Sequence, residues 1–273
     1  MLQLGAERRA GEDSTAPLVS ILIKSNDQFD YLERTFALLE RQTVRDAETI
    51  LIYSGQSNRT LDLAARCGAA VVTYPDEPFS HPKALNIAAL RAQGEYVVCL
   101  SADAVPASQD WLAALVRPFI CPSVAGVYGR HLVNKSHSKH LLERWKLLQR
   151  YSDRAKCKWV ADGHLFSNAN SALRRSYWQK HPFDERLASG CEDYEWARWA
   201  HLSGMAIFYA PEAAVYHDHA SEYDFHAYVR RALLFLWLRW RIDGGLVHSA
   251  QGDIVPCPRE TQVAGSVCPL SGR

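Results

Sequence analysis

Four short stretches of the chain carry residues able to do chemistry. In "LSADAVP" (100–106) a single carboxylate, Asp103, directly follows the apolar run Tyr96-Val97-Val98-Cys99-Leu100, and Pro106 comes three residues later. An acid just past a buried strand stands where open α/β sheets bind ligands. Asp and Pro are also common where a strand meets a turn. In "HPKALN" (81–86) Lys83 lies near the start of a helical stretch, where a cation and free backbone N–H groups can both face a phosphate. His81 and Asn86 can share that place; an exposed lysine on a helix is the alternative. "CEDYEWARWAHLSG" (191–204) opens on two adjacent carboxylates, Glu192 and Asp193. The helix macrodipole favours acids there by about 0.3–1 kcal/mol, whatever else they do. The fourth stretch, "VYHDH" (215–219), ends a short apolar run on His217 and His219, where a histidine can simply cap the strand.

These residues need elements to hold them. "LVSILI" (18–23) is a β-branched apolar run, and Tyr31–Gln42 has helical spacing of Leu32, Phe36 and Leu39. The pattern repeats: "ETILIY" (48–53) and a helix ending at Arg66, "AVVTY" (70–74) and a helix from Pro82 to Ala92, then "EYVVCL" (95–100). Strands alternating with helices of this length predict right-handed βαβ crossovers and an α/β fold with a mostly parallel sheet flanked by helices. Further on, a helix is expected over Trp111–Phe119 and a strand over 124–132, "VAGVYGRHL". His137–Lys158 reads as a charged helical excursion, either mobile or facing an acceptor. "FSNANSAL" (166–173) reads as a strand, 191–204 as a helix stopped by Gly204, and "MAIFYAPEAAVYHDH" as two short strands.

The 273 residues suffice for one large domain or two small ones. With 31 Lys+Arg against 30 Asp+Glu there is no basic excess, so no nucleic-acid partner is expected. Seven cysteines, with no C-x-x-C pair, read as reduced thiols in a cytoplasmic protein. No run approaches the roughly 18–20 apolar residues that span a bilayer. The expected layout is a tail over 1–17, one domain over 18–220, an apolar helical extension over 221–243 and a poorly ordered tail over 244–273. The helix, Tyr223–Ile242, is apolar nearly all round, which predicts burial against the core, pairing of two chains, or contact with a membrane surface.

Taken together, "SILIKSND", "FSHPKALNIAALRAQGEYVVCLSADAVP", "VAGVYGR", "FSNANSALRRS", "HPFDERL", "EDYEWARWAHLSG" and "PEAAVYHDH" resemble, in type and order, the inverting family-2 glycosyltransferases of GT-A fold, in particular bacterial rhamnosyltransferase-like members. The resemblance covers about residues 18–235. It implies a Rossmann-like sheet and transfer of a sugar from a nucleoside diphosphate to an acceptor hydroxyl on a polysaccharide, lipid-linked glycan or small molecule. It also implies that Asp103 ligates a divalent metal, Mg²⁺ or Mn²⁺. The family's D-x-D is here Ser101-Ala102-Asp103, with only the second acid present, and hard cations can be held by one carboxylate plus phosphate and water. His217 corresponds to a late histidine that completes the metal shell or contacts the diphosphate, with His219 as the near alternative. Asp193 corresponds to the base that takes the acceptor proton, with Glu192 supporting it. Lys83 and Ser101 fall to the donor site, and Asn168 and Asn170 to a sugar or acceptor pocket that Asp184 helps to orient.

One stretch departs from the family. Relatives carry acids after the second strand that contact the nucleoside; here the stretch is Tyr53-Ser54-Gly55-Gln56-Ser57-Asn58-Arg59-Thr60, and both acids are gone. Tyr53 stacking on a base, and Arg59 reaching a phosphate or acidic sugar, would be this chain's own solution. The same loss allows a second function class, a catalytically degenerate nucleotide-sugar or glycan-binding protein. A nucleotidyltransferase is disfavoured because no Gly-rich phosphate loop follows Ile23.

Overall fold

The computed structural model describes residues 16–75, 77–132, 156–158, 166–188 and 190–217, with Val229, Leu233, Leu234, Leu236, Trp237 and Trp240 beyond them. The apolar runs become the strands β1 (Val19–Ser25), β2 (Ala47–Tyr53), β3 (Ala70–Thr73) and β4 (Tyr96–Ser101), connected through the helices α1 (Phe29–Leu39), α2 (Asn58–Arg66) and α3 (His81–Ala89). After β4 come β5 (Ala104–Pro106), α4 (Trp111–Val116), a 3-10 turn at Arg117–Ile120, and β6 (Val124–Leu132). β7 (Lys156–Lys158), β8 (Asn170–Arg174), α5 (Arg175–Lys180), α6 (Glu192–Leu202) and β9 (Ala206–His217) follow.

The nine strands form one sheet in the order β3-β2-β1-β4-β8-β6-β9-β5, with β7 on β9. From β3 to β4 every pairing is parallel. Beyond β4 the sheet is mixed, since β8 runs antiparallel to β4 and β6 while β6 and β9 are parallel. The mostly parallel expectation therefore holds for the first half alone, where βαβ crossovers dictate it.

Alternation along the strands gives the sheet two apolar faces. Ile21, Ile23, Val98 and Leu100 point to one, with Leu32, Phe36 and Leu63 from α1 and α2 packed on it. Leu22, Val97 and Cys99 point to the other, covered by Ala84, Leu85 and Ala88 of α3 and Trp196, Ala197 and Ala200 of α6. The crossovers α1 and α2 thus lie on one face and α3 on the other. The reversal falls between β1 and β4, and open α/β sheets bind ligands at the carboxyl ends of the strands beside such a reversal.

Several local expectations are corrected. "MAIFYAPEAAVYHDH" forms one twelve-residue strand through His217, and its irregularity between Ala210 and Val215 accounts for the two-strand reading. "AVP" is a strand of its own, β5, paired with β9. Lys156–Lys158 is extended and pairs with β9; the rest of the 137–158 excursion lies outside the described residues. The tail over 1–17, except for 16 and 17, and that over 244–273 also lie outside them, as does His219. At the described positions of the terminal helix, Leu233, Leu236, Trp237 and Trp240 are exposed, so these four side chains are not buried against the core. Among the described residues no helix is long and apolar enough to cross a membrane, and Cys67, Cys99, Cys121 and Cys191 form no disulfide.

Candidate active site

The turn Ala102–Asp103 links β4 to β5, two strands far apart in the sheet order. β5 pairs with β9 so that Ala104 lies opposite His217. This pairing brings the last residue of β9 to the acid beyond β4. Oδ1 of Asp103 is buried, accepts no hydrogen bond, and lies 3.4 Å from Nε2 of His217, an ion-pair separation. Burial acts to raise the Asp103 carboxyl, but His217, with help from Ser101, outweighs it and holds the group down at about 2. The carboxylate is ionised at neutral pH.

A buried carboxylate oxygen facing an imidazole suits a divalent cation, with one hard oxygen and one nitrogen as protein donors. Among the described residues no cluster of three or more His, Cys, Asp or Glu side chains could hold a metal unaided. Asp103 and His217 would therefore share such a cation with phosphate oxygens and water.

The acid pair lies at the same end of the sheet. Because β8 runs antiparallel to β4, its first residues meet the end of β4, and the Ser101 N–H donates to the Ala169 carbonyl. Asn168, next to Ala169, donates its backbone N–H to Asp193 Oδ2 at 3.4 Å and its side-chain amide to Glu192 Oε1 at 3.3 Å. The N–H of Tyr194 donates to Asp193 Oδ1 at 2.8 Å. Burial first, and the neighbouring Glu192 charge second, push Asp193 up to about 7; these two N–H groups and the charge of Lys24 pull the other way. A carboxyl poised there can accept a proton near neutral pH.

The other expected residues divide. Asn170 is fully buried: its amide oxygen accepts from Trp111 Nε1 and its nitrogen donates to the Ala213 and Arg130 carbonyls. It ties β6, β8 and β9 together and does not line a pocket. Asn86 is likewise consumed internally, by Trp178, Phe183 and Glu185, and Asp184 caps a turn and pairs with Arg186. Lys83 pairs with Glu77 at 2.5 Å. Ser101 ends β4 beside Asp103.

Tyr53 does not stack on a base. Its ring is buried in the core, 3% exposed, and its hydroxyl donates to Asp27. Arg59 covers the Phe29 ring at 3.5 Å.

Three residues missed by the sequence reading belong to this region. Asp27, exposed after β1, accepts from Tyr53 and from the N–H groups of Gln56 and Ser57, and these bonds, Tyr53 foremost, lower its carboxyl. Its carboxylate occupies the place where a Gly55 side chain would stand. An acid from the loop after β1 thus stands against the loop after β2, whose residues 54–57 include none. Lys24 lies opposite Ser101 in the sheet, with Nζ 3.5 Å from His81 Nδ1, and brings a cation toward Asp193. His131 of β6 puts Nδ1 2.9 Å from Nδ1 of His217. The alternation of "VYGRH" could have placed His131 on one face with Gly129; nothing local announces its partner. Among the described residues, the two non-glycines with positive φ, Asp27 at 67° and Cys191 at 75°, both flank this end of the sheet.

Residues 20–181 match the family model described as Glycosyl transferase family 2. The chain is 26% identical over 190 residues to the O-antigen chain rhamnosyltransferase RfbN of Salmonella typhimurium, an alignment that covers 66% of this chain and 60% of the relative. It therefore spans about three fifths of that protein's length. Among solved structures it resembles the mannosyltransferase PcManGT of Pyrobaculum calidifontis in complex with GDP-Man and Mn²⁺, with a TM-score of 0.58, 19% identity, and coverage of 80% of this chain and 61% of that one. It also resembles the glucosyl-3-phosphoglycerate synthase of Mycobacterium tuberculosis in complex with Mn²⁺, UDP and glucosyl-3-phosphoglycerate, with a TM-score of 0.59, 17% identity, and coverage of 82% and 80%. At these identities the shared property is the fold, a mixed α/β sheet flanked by helices of the GT-A kind.

Proposed function

The chain belongs to glycosyl transferase family 2, and from that premise we propose that it transfers a sugar from a nucleoside diphosphate to an acceptor hydroxyl, with inversion at the anomeric carbon. The observation that carries the reading is Asp193: a half-buried carboxyl poised near 7, gripped by two backbone N–H groups and joined through Asn168, Ala169 and Ser101 to Asp103. In the proposed step Asp193 takes the acceptor O–H proton as that oxygen bonds to the anomeric carbon. The bond from that carbon to the diphosphate breaks, and its electron pair leaves with the diphosphate.

Asp103 and His217 would hold Mg²⁺ or Mn²⁺. Such a cation neutralises charge that builds on the departing diphosphate. Lys24 adds a positive charge at the same end of the sheet, and Asn168 fixes the two acids relative to each other. Asp27 supports an intact nucleoside site over a degenerate one, because it restores a carboxylate to a loop that has lost its own. The donors and glycan products named for the relatives leave the sugar open; a deoxyhexose or hexose fits the likeness to the rhamnosyltransferase.

The exposed Leu233, Leu236, Trp237 and Trp240 recur at helical spacing, and arginines stand at 230, 231, 239 and 241. This combination supports docking on an anionic lipid surface at the cytoplasmic side, where a lipid-linked acceptor would lie. Flotation with anionic vesicles tests it; a chain that stays in the soluble fraction contradicts it.

The activity is tested by incubating the protein with Mn²⁺ and UDP-, dTDP- and GDP-linked sugars, and following release of the nucleoside diphosphate with glycan acceptors present. Release by wild type and its loss in Asp193→Asn is the expected result. A folded Asp193→Asn protein with full activity would contradict the assignment.

A further inference from the structure

The imidazole of His217 is engaged on both sides. Nε2 faces Asp103 Oδ1 at 3.4 Å, and Nδ1 lies 2.9 Å from Nδ1 of His131. The two rings are 4.9 Å apart between centroids and tilted by 59°. Both are largely withdrawn from water, with His131 7% exposed and the His217 side chain 10%. Two ring nitrogens at that distance form a hydrogen bond only when one bears a proton and the other a lone pair.

We propose that His131 is a positioning residue for the divalent-cation site. It accepts the Nδ1 proton of His217, so that when a cation displaces the Nε2 proton that pairs with Asp103 the ring is held in the tautomer whose Nε2 lone pair faces the space beside Asp103. An imidazole that ligates through Nε2 must carry its proton on Nδ1, and a partner for that proton fixes both tautomer and ring orientation. This rests on the reading of Asp103 and His217 as the metal-holding pair.

The backbone is shaped around the contact. β6 and β9 pair in register from Val127–Phe208 to Gly129–Ala210, then shift so that His131 lies opposite Val215. The additional β9 residues bulge toward Gly129, where a Cβ would collide with the Ala213 carbonyl, and Asn170 Nδ2 donates to that carbonyl at 2.9 Å. The shift sets Val215 opposite His131, so that His217, two residues on, lies diagonal to it and opposite Ala104, next to Asp103. A glycine, a buried amide and a strand irregularity thus all serve the meeting of two histidines.

The test is Mn²⁺ affinity, read as free Mn²⁺ by electron paramagnetic resonance at fixed pH with UDP or GDP present. Wild type, His217→Ala, His131→Leu and His131→Asn are compared, each checked for folding by circular dichroism. His131→Leu should weaken Mn²⁺ binding by about 10- to 100-fold, while His131→Asn, whose Oδ1 falls close to the place of Nδ1 and can accept the same proton, should stay within a few-fold of wild type. If His131→Leu does not fold, His131→Ala takes its place, because its side chain stops short of His217 and should show the same loss. A folded His131→Leu or His131→Ala protein that binds Mn²⁺ like wild type, while His217→Ala is impaired, overturns the inference alone. Wild type that binds no Mn²⁺, or His217→Ala that binds normally, overturns the metal reading beneath it.

Discussion

Nε2 of His217, the last residue of β9, lies 3.4 Å from Oδ1 of Asp103, the acid just beyond β4. The two are adjacent because β5 leaves the turn at Asp103 and pairs with β9. The site is therefore a product of the sheet's topology, and substitutions that disturb the pairing should act on it as surely as substitutions within it.

Asp193→Asn should separate activity from stability. The folded carboxyl is raised to about 7 from an ordinary 3.8, so the fold favours its neutral form. That contribution to stability is fully present below the unfolded value and is lost as pH rises through about 7. Asparagine does not ionise. The variant should lose transfer by about 10²- to 10⁴-fold and unfold on the order of a few degrees higher than wild type at pH 8, as measured by calorimetry.

Glu192→Gln should shift the pH profile. With Asp193 as base, kcat/KM rises with pH as that carboxyl ionises, and the Glu192 charge is the second largest reason it ionises late. Removing the charge should move the ascending limb to lower pH. A limb that stays in place, or moves to higher pH, would assign it to another group.

Asp27→Ala should act on the donor. The carboxylate organises the loop through Tyr53, Gln56 and Ser57, and its removal leaves the Tyr53 hydroxyl and two N–H groups without that acceptor. We expect a rise in donor KM of about tenfold or more, with acceptor KM unchanged. Steady-state kinetics varying each substrate would show it; equal effects on both would point to a general loss of structure.

Gly129→Ala tests the strand irregularity. The new methyl meets the Ala213 carbonyl and the Asn170 amide, both held by backbone and buried contacts. A loss of about 1–3 kcal/mol or more is expected in urea unfolding, together with weaker Mn²⁺ binding as His217 moves. Unchanged stability would mean that β9 yields at no cost.

Much of this was legible in the chain. Apolar runs separated by helical spacing place β1 to β4, and the switch-point rule sends attention to Asp103 before any pairing is known. The Glu192-Asp193 pair could be found at a helix start. What stayed hidden depends on contacts between distant segments. Asn86 and Asn170 look like ligand-facing amides in sequence, and only the packing of Trp178 and Trp111 against them reveals their internal bonds. Tyr53 looked available for stacking because the acid that claims its hydroxyl lies on another strand's loop. His131 carried no local signal, since its meaning comes from the register of β6 on β9. β5, three residues long, is defined by its partner and not by a period of its own.

A divalent cation held at Asp103 and His217 should bind the donor's diphosphate. The decisive measurement is calorimetric titration of UDP, dTDP and GDP into wild type and Asp103→Ala, with and without Mn²⁺. One nucleotide should bind wild type at least tenfold more tightly with Mn²⁺ than without, and Asp103→Ala should abolish this gain while remaining folded. Equal, metal-independent binding by both proteins would contradict it.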